Sequence, residues 1–456
     1  MAQSNSIKIV EVCKVSPPTH SPAGPAIPQA LPLTFFDLLW LRSPPVQRLF
    51  FYQFPVSTAT FSDSILPKLK QSLSLTLLHF IPLAGNLIWP QSSHIPLIDY
   101  VDGDGVPFTV AESDADFSRL STAKFCEPTA YHPFIPQLAV SVERAEAMAL
   151  QVTLFPNHGF SIGIATHHAV VDGKCSTTFM KTWAQICKFG SDQSELKLLY
   201  DRSVIKDPKG LEAIYTGQLL EFGGPNNRSL MTNWKPEVPS DSVRGLLELS
   251  RSKIEKLREY AKIEMAKKNE PPLHTSTFSI TLAYICACLA KSEGISDELQ
   301  LLVVSFNVDC RTRLEPPIPA YFGNCLTVNA ALAGPKGILG KEGFLVALKA
   351  IDEAIKKLDD GGILEGAENW VSGKHSLPPF KIYNLAGSPR FGVYGSDFGW
   401  GRPIKVDMTS VDSSGAICLS DAKNGDVGVQ ITLVLKKQLM EIFASQFAKG
   451  LEDLPF

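Results

Sequence analysis

The segment His167-His168-Ala169-Val170-Val171-Asp172-Gly173 sets an aspartate four residues after the second of two adjacent histidines. Histidine titrates near neutral pH, so it is suited to take a proton from a hydroxyl attacking a carbonyl and to return it later. Adjacent residues of an extended chain point to opposite sides, so at most one of the pair faces a given cleft. A metal reading is poorer, because no HExxH pattern occurs and a third ligand would have to come from His158 or a distant residue. A serine nucleophile is also poorly supported, since the serine of the GxSxG match at Gly159–Gly163 falls inside the expected strand FSIGIATHH and not at a strand-to-helix turn. The rival reading is architectural: a histidine hydrogen-bonded at a sheet edge and an aspartate capping the helix that starts at Gly173. Asp172 has two readings of its own, orienting His168 as in a triad or turning away to pair with an arginine. The second is preferred, because a strand-end histidine followed by a turn need not place the carboxylate on the imidazole.

Strands on one side and a helix on the other must hold this segment. Residues 137–166 read as strands, with Leu138, Val140 and Val142 alternating, then ALQVTLFP and FSIGIATHH flanking the turn Pro156-Asn157-His158-Gly159. From residue 174 the apolar spacing is helical until Gly190. Further strands are expected at 7–15, 299–308, 404–411, 415–420 and 427–435, and helices at 64–80, 250–268, 277–292 and 341–358. The Pro-rich stretch 16–32 reads as an extended surface connector. Periodicity weakens between 190 and 242, which suggests an interdomain crossover.

The 456 residues exceed what one core usually organises, so two domains and a cleft between them are expected. The mixture of helix and strand favours an α/β or α+β class. Lys plus Arg number 43 and Asp plus Glu 46, a formal charge of −3, so nothing global attracts nucleic acid or an anionic membrane. Nine cysteines without paired spacing suit a reducing cytosol, and Cys286 and Cys288 read as small buried thiols in an apolar run, not as metal ligands. The amino terminus does not read as a signal peptide, and no run reaches transmembrane length.

Two further motifs stand in the same chain: YFGN at Tyr321–Asn324 and DFGWG at Asp397–Gly401. With HHAVVDG, LPLTFFD at 31–37, IPLAGN at 81–86, QVTLFPN at 151–157 and DCRTRLEPPIPAYFGNC at 309–325, they resemble the BAHD superfamily of plant CoA-dependent acyltransferases along nearly the whole length. The resemblance implies a monomer of two similarly folded chloramphenicol-acetyltransferase-like α/β domains, 1–190 and 243–456, joined by a crossover at 191–242. A channel between them would admit acyl-CoA from one face and the acceptor from the other, with no permanently bound cofactor and no metal. His168 would act as general base in direct attack, without an acyl-enzyme. Asp172 would pair with Arg311. Trp400 would offer its indole N–H near the developing oxyanion, and Asp397 would have either a functional role or one of holding its loop. CoA contacts would fall among Ser276, Thr277, Arg311, Ser388, Pro389 and Arg390.

The chain departs from the hydroxycinnamoyl shikimate and quinate branch, which carries Thr-Ser-Trp where this sequence has Ala386-Gly387-Ser388. Its YFGNC is similar to that of the branch acylating anthocyanin and other flavonoid or phenolic glucosides. That implies a sugar hydroxyl as nucleophile and malonyl-CoA as donor, with Lys174 either the cation for the malonyl carboxylate or a solvated helix-start lysine. Hydroxycinnamoyl donors such as coumaroyl-CoA share these motifs and form the alternative. An acyl-CoA or ester hydrolase and a non-catalytic relative are the other classes weighed.

Overall fold

The computed structural model describes residues 7–18, 29–191, 197–232, 237–294, 301–360, 362–373, 379–423 and 428–452. Two large mixed sheets dominate it. The first runs in the order β1 (Ile7–Val15), β3 (Val106–Ser113), β5 (Met148–Phe155), β6 (Gly159–Thr166), β2 (Val46–Gln53) and β11 (Lys405–Met408). The second runs β9 (Leu326–Ala333), β8 (Leu301–Asp309), β10 (Phe380–Ser388), β12 (Ile417–Asp421), β13 (Val429–Lys436), β7 (Ser242–Leu249) and β4 (Phe125–Cys126). A small four-stranded sheet packs beside the first. The class is therefore α/β with two mixed sheets, as expected.

Each sheet borrows a strand from the other half of the chain. β11 pairs antiparallel with β2, and β4 pairs antiparallel with β7. The first core accordingly takes in Cys310, Tyr321, Phe322 and Cys325, and also Val393, Tyr394, Phe398 and Val406, from the second half. A division by sequence position alone does not follow the packing.

The β5–β6 hairpin forms from two strands buried on both faces, and the intervening turn places Asn157 at φ 65°. Helices α1 (Phe35–Leu38), α2 (Leu66–Leu77) and α3 (Gly173–Phe189) cover the first sheet. Asp172 caps α3 by accepting from the Cys175 N–H, and Gly190 ends it in the left-handed conformation at φ 78°. On the second sheet lie α5 (Arg251–Lys267), α6 (Thr277–Glu293), α7 (Gly343–Asp360) and α8 (Lys437–Glu452). Cys286 and Cys288 are buried in α6. Among the described residues no helix is long and apolar enough to cross a membrane.

Several expectations change. Leu138–Val142 is not a strand and contributes only an isolated bridge from Val140 to Ala145, because Pro136 and the preceding 3-10 turn keep the segment outside the ladder. The crossover contains α4 (Leu211–Glu221), whose Leu211, Tyr215 and Leu219 recur at helical spacing on a buried face. The strand expected at 404–411 ends at Met408, and Val411–Ser414 coils into a helical turn. The first residues of the strands expected at 299–308 and 427–435, and positions 19–28 of the Pro-rich connector, lie outside the described residues.

Candidate active site

β6 releases the chain at Thr166, and the six residues to Asp172 form a tight connection into α3. His167 turns into the core. It is 2% exposed, its N–H donates to the Ala147 carbonyl at 2.9 Å, and its Nδ1 accepts from the Ala169 N–H at 3.3 Å. Burial, with a lesser push from His168, lowers its pKa to about 4, so it is a neutral part of the turn.

His168 faces the other way. Its ring stacks on the Trp40 indole, with centroids 4.1 Å apart and planes 8° from parallel. Its Nδ1 is buried with no hydrogen-bond partner among the described residues. Burial pulls the imidazole below its ordinary pKa; hydrogen bonding to its own backbone and to Asn324, and the Asp172 charge, oppose this only in part. A neutral imidazole at physiological pH is what a general base requires.

The backbone of His168 is tied to the second half of the chain. Asn324 Nδ2 donates to the His168 carbonyl at 2.9 Å and to Asp37 Oδ1 at 3.0 Å, and the Asn324 N–H donates to the same Oδ1 at 2.8 Å. Asp37 is fully buried, and its other oxygen accepts from the Thr34 N–H and hydroxyl at 2.9 and 2.8 Å. Thus α1 and the YFGN loop hold one another across the halves and fix His168 between them. Gly323 sits at φ 121°, a conformation that favours glycine, and a Cβ there would lie 2.6 Å from Arg202 Nη1, which would have to move. Trp40, Asp37 and Arg202 were not singled out by sequence reasoning. A lone aspartate inside the apolar LPLTFFDLLW run was a usable signal, because a carboxylate buried among such residues must find donors.

Asp172 does not orient the imidazole. Its Oδ1 caps α3 at 2.9 Å from the Cys175 N–H, and its Oδ2 lies 2.7 Å from Arg311 Nη1 and 3.4 Å from the Cys325 N–H. Both side chains of the Asp172–Arg311 pair are 1% exposed. Arg311 also donates to Asp309 at 3.0 Å and to the Tyr321 and Gly323 carbonyls at 3.1 and 2.7 Å. Burial alone would weaken its charge, but Asp172 and Asp309 more than reverse that. With its donors spent and its surface covered, Arg311 is a bracket between the halves and not a contact for CoA, which corrects that part of the expectation.

The DFGWG loop lies elsewhere. Asp397 pairs with Lys188 at 2.7 Å and accepts from the Gly399 and Gly401 N–H groups at 2.8 and 3.1 Å. Lys188 is in the last turn of α3, about 20 Å along the helix from its start beside His168. Trp400 packs on Phe160 at 6.0 Å and Phe54 at 6.3 Å, with the Lys68 ammonium 5.3 Å from its ring. Phe160 begins β6, about 20 Å from the end that delivers His168. Trp400 therefore offers no oxyanion contact at His168, and Asp397 clasps its own loop.

Of the remaining expected residues, Lys174 and the turn at Ser388–Arg390 adjoin α3. Lys174 forms a half-exposed ion pair with Asp309 at 2.9 Å. Ser388 accepts from the Arg390 N–H at 3.2 Å in a turn that runs through Pro389 to Phe391. Arg390 is exposed, and the Phe391 carbonyl accepts from Lys181 of α3 at 2.6 Å. Gly173 lacks a side chain because a Cβ would come within 2.7 Å of the Phe391 ring. Ser276 caps α6 by accepting from the Ser279 N–H at 3.1 Å, with half-buried Thr277 next to it. Phe278 packs on Phe306 of β8 at 5.5 Å, three residues from the Asp309 that holds Lys174. The turn at Ser388–Arg390 thus reaches α3 from the second half through Phe391.

The sequence profile described as the Transferase family matches residues 11–449. "Phenolic glucoside malonyltransferase 1" of Arabidopsis thaliana is 40% identical over 98% of this chain and 98% of its own. "Malonyl-CoA:anthocyanidin 5-O-glucoside-6''-O-malonyltransferase" of the same plant is 38% identical over 98% and 99%. "Agmatine coumaroyltransferase", also of Arabidopsis thaliana, is 36% identical over 97% and 99%. Among solved structures, vinorine synthase superposes with a TM-score of 0.72 at 22% identity over 97% of this chain and 98% of that one. An F. graminearum protein complexed with coenzyme A and deoxynivalenol gives 0.67 at 13% identity over 92% and 98%.

Proposed function

We infer a substrate pair from one premise: this chain belongs to the Transferase family, the BAHD acyltransferases, and is a CoA-dependent acyltransferase. It transfers a malonyl group from malonyl-CoA to a sugar hydroxyl of a phenolic or flavonoid glucoside. The observation that carries this reading is the full-length identity of 40% to a phenolic glucoside malonyltransferase, accompanied by 38% to an anthocyanidin glucoside malonyltransferase. Nine unpaired thiols support a reducing compartment for the enzyme.

In the mechanism, His168 Nε2 takes the proton of the sugar hydroxyl while the oxygen attacks the thioester carbonyl. The tetrahedral intermediate collapses with loss of the CoA thiolate, and the imidazolium returns its proton to that sulfur. The depressed pKa of His168 supports the first step, and its stacking on Trp40 and the Asn324 bond to its carbonyl support a ring held in one orientation. The turn at Ser388, Pro389 and Arg390 and the helix start at Ser276 and Thr277 are our candidates for CoA contact, through a cationic side chain and helix N–H groups respectively.

The relative named for coumaroyl transfer to agmatine makes a hydroxycinnamoyl donor the second reading. A matrix of malonyl-, acetyl- and coumaroyl-CoA against anthocyanin, flavonol and simple phenolic glucosides, read by product mass, tests both. We expect a mass gain of one malonyl group on a glucoside. Release of free acid at a rate indifferent to the acceptor would remove the transfer reading in favour of hydrolysis.

A further inference from the structure

Arg48 lies on β2, opposite Ile164 of β6 and Met408 of β11, and is 5% exposed. Its Nη1 donates to the Thr177 hydroxyl at 2.6 Å, and its guanidinium carbon lies 5.5 Å from the centre of the Phe391 ring. Neither partner carries negative charge. The two other buried arginines among the described residues are compensated directly, Arg244 by Asp407 and Asp412, and Arg311 by Asp172 and Asp309. Among the described residues no carboxylate stands within ion-pair distance of Arg48. Asp172 and Asp421 act on it only through space. The first is spent on Arg311, and the second accepts from the Val393 N–H at 2.9 Å. The adjacent Cys418 is no counter-ion either, since burial pushes its thiol up to about 11. A guanidinium stays protonated under all these conditions, so the site holds an uncompensated buried cation, an arrangement that disfavours the empty state.

Arg48 also lines a cavity of about 20 Å³ with Gly387, Phe391, Met408, Cys418 and Ser420. On that measure roughly 10–15 Å³ admits one water, so the space suits an oxygen or two and not an aromatic ring. It lies beside the start of α3. A Cβ on Gly173 would meet Arg48 Nη2 at 3.2 Å and the Phe391 ring at 2.7 Å, and His168 is five residues before that glycine.

We propose that Arg48 receives the terminal carboxylate of the acyl donor and is thereby the residue that selects a dicarboxylic acyl-CoA over a neutral one. The inference rests on the malonyl reading above and moves the selecting cation away from Lys174, whose ammonium is already met by Asp309 and is 39% exposed. The carboxylate would complete the charge balance that Thr177 and Phe391 leave open, and the narrow cavity would exclude a bulkier acyl end. A CoA phosphate has the same charge but is common to every donor, so donor competition separates the two.

The test is the ratio of kcat/KM for malonyl-CoA to that for acetyl-CoA on one phenolic glucoside, in the full-length enzyme and in Arg48→Gln. These donors differ only by the carboxylate. We expect the ratio to fall at least thirtyfold, within the range for a lost charge-assisted hydrogen bond. An unchanged ratio, including equal loss on both donors as a phosphate contact or a structural role would produce, overturns the proposal and leaves the malonyl reading standing. A wild-type enzyme that uses acetyl- or coumaroyl-CoA but not malonyl-CoA overturns both. If Arg48→Gln does not fold, Arg48→Lys reads the same ratio. Loss of the planar fork should lower it about tenfold, and no change refutes the assignment.

Discussion

Replacing Asp172 by asparagine separates the two roles its position allows. The carboxylate and Arg311 are 2.7 Å apart and each 1% exposed, so the change leaves a buried guanidinium short of a counter-charge. Breaking such a pair costs on the order of 3–5 kcal/mol. Asp309 remains 3.0 Å from Arg311 and is 36% exposed, which places the expected loss at the lower end, about 3 kcal/mol. The amide oxygen still caps α3, so no separate capping loss is added. The urea midpoint and kcat/KM of Asp172→Asn are then compared with those of Asp172→Asn/Arg311→Met, which removes the orphaned charge as well. If Asp172 brackets the halves, the single variant is destabilised and the double variant regains stability and kcat together, by a coupling of at least about 1 kcal/mol. A single variant with the wild-type midpoint but kcat lower by about 10⁴, unrelieved by removing Arg311, would mean that the carboxylate works on the imidazole as in a triad.

His168→Ala should lower kcat by roughly 10²–10⁴ with CoA binding retained, and a variant keeping a tenth of wild-type activity would remove His168 from the base role. Because burial lowers the His168 pKa, the acid limb of kcat/KM should have its midpoint below 6.5, with activity rising as the imidazole deprotonates; a midpoint above 6.5 contradicts the geometry. Asn324→Ala removes the bond to the His168 carbonyl and the side-chain bond to Asp37 Oδ1, which keeps the backbone N–H of position 324, so kcat should fall about tenfold with little change in KM. Wild-type kcat in that variant would show that the clamp does not position the base. Trp400→Ala should destabilise by about 2 kcal/mol, through lost packing on Phe54 and Phe160, without altering the preference among donors; a donor-dependent effect would return Trp400 to the reaction centre. His167 has a pKa near 4 in the fold against 6.5 for the free side chain. Its folded pKa is lowered, so the stabilisation is complete above pH 6.5 and is lost as pH falls toward 4, and His167→Gln should flatten the urea midpoint across that window by about 3 kcal/mol.

Periodic elements were legible because one residue's neighbours in sequence are also its neighbours in space. The hairpin before His168, the helix from Gly173 to Phe189 and its glycine stop follow from alternation, helical spacing and a capping residue, all local effects. Short or irregular pieces were not. α4 was hidden in a segment of weak periodicity, and Leu138–Val142 alternated without joining a ladder. Pairing with a neighbouring strand, which local alternation does not encode, decides that outcome. The borrowed strands β4 and β11 belong to the same class, since each finds its partner far along the chain.

At the site, residue type and spacing raised His168 as a candidate base and Asp172 as an organiser, and the family resemblance implied Arg311 as the partner of Asp172. Those assignments follow from titration chemistry and from motifs whose members keep their order along the chain. Distance along the chain carries no information on distance across it. Asp397 and Trp400 stand in a motif as prominent as HHAVVDG, yet α3 runs about 20 Å between the two and separates them. Asp37 and Asn324 are 287 positions apart and share a hydrogen bond. Arg48 looked like an ordinary strand residue, and only its burial, with no carboxylate at ion-pair distance among the described residues, sets it apart. Compensation of a buried group depends on every element packed around it, so it becomes readable only after the chain has folded.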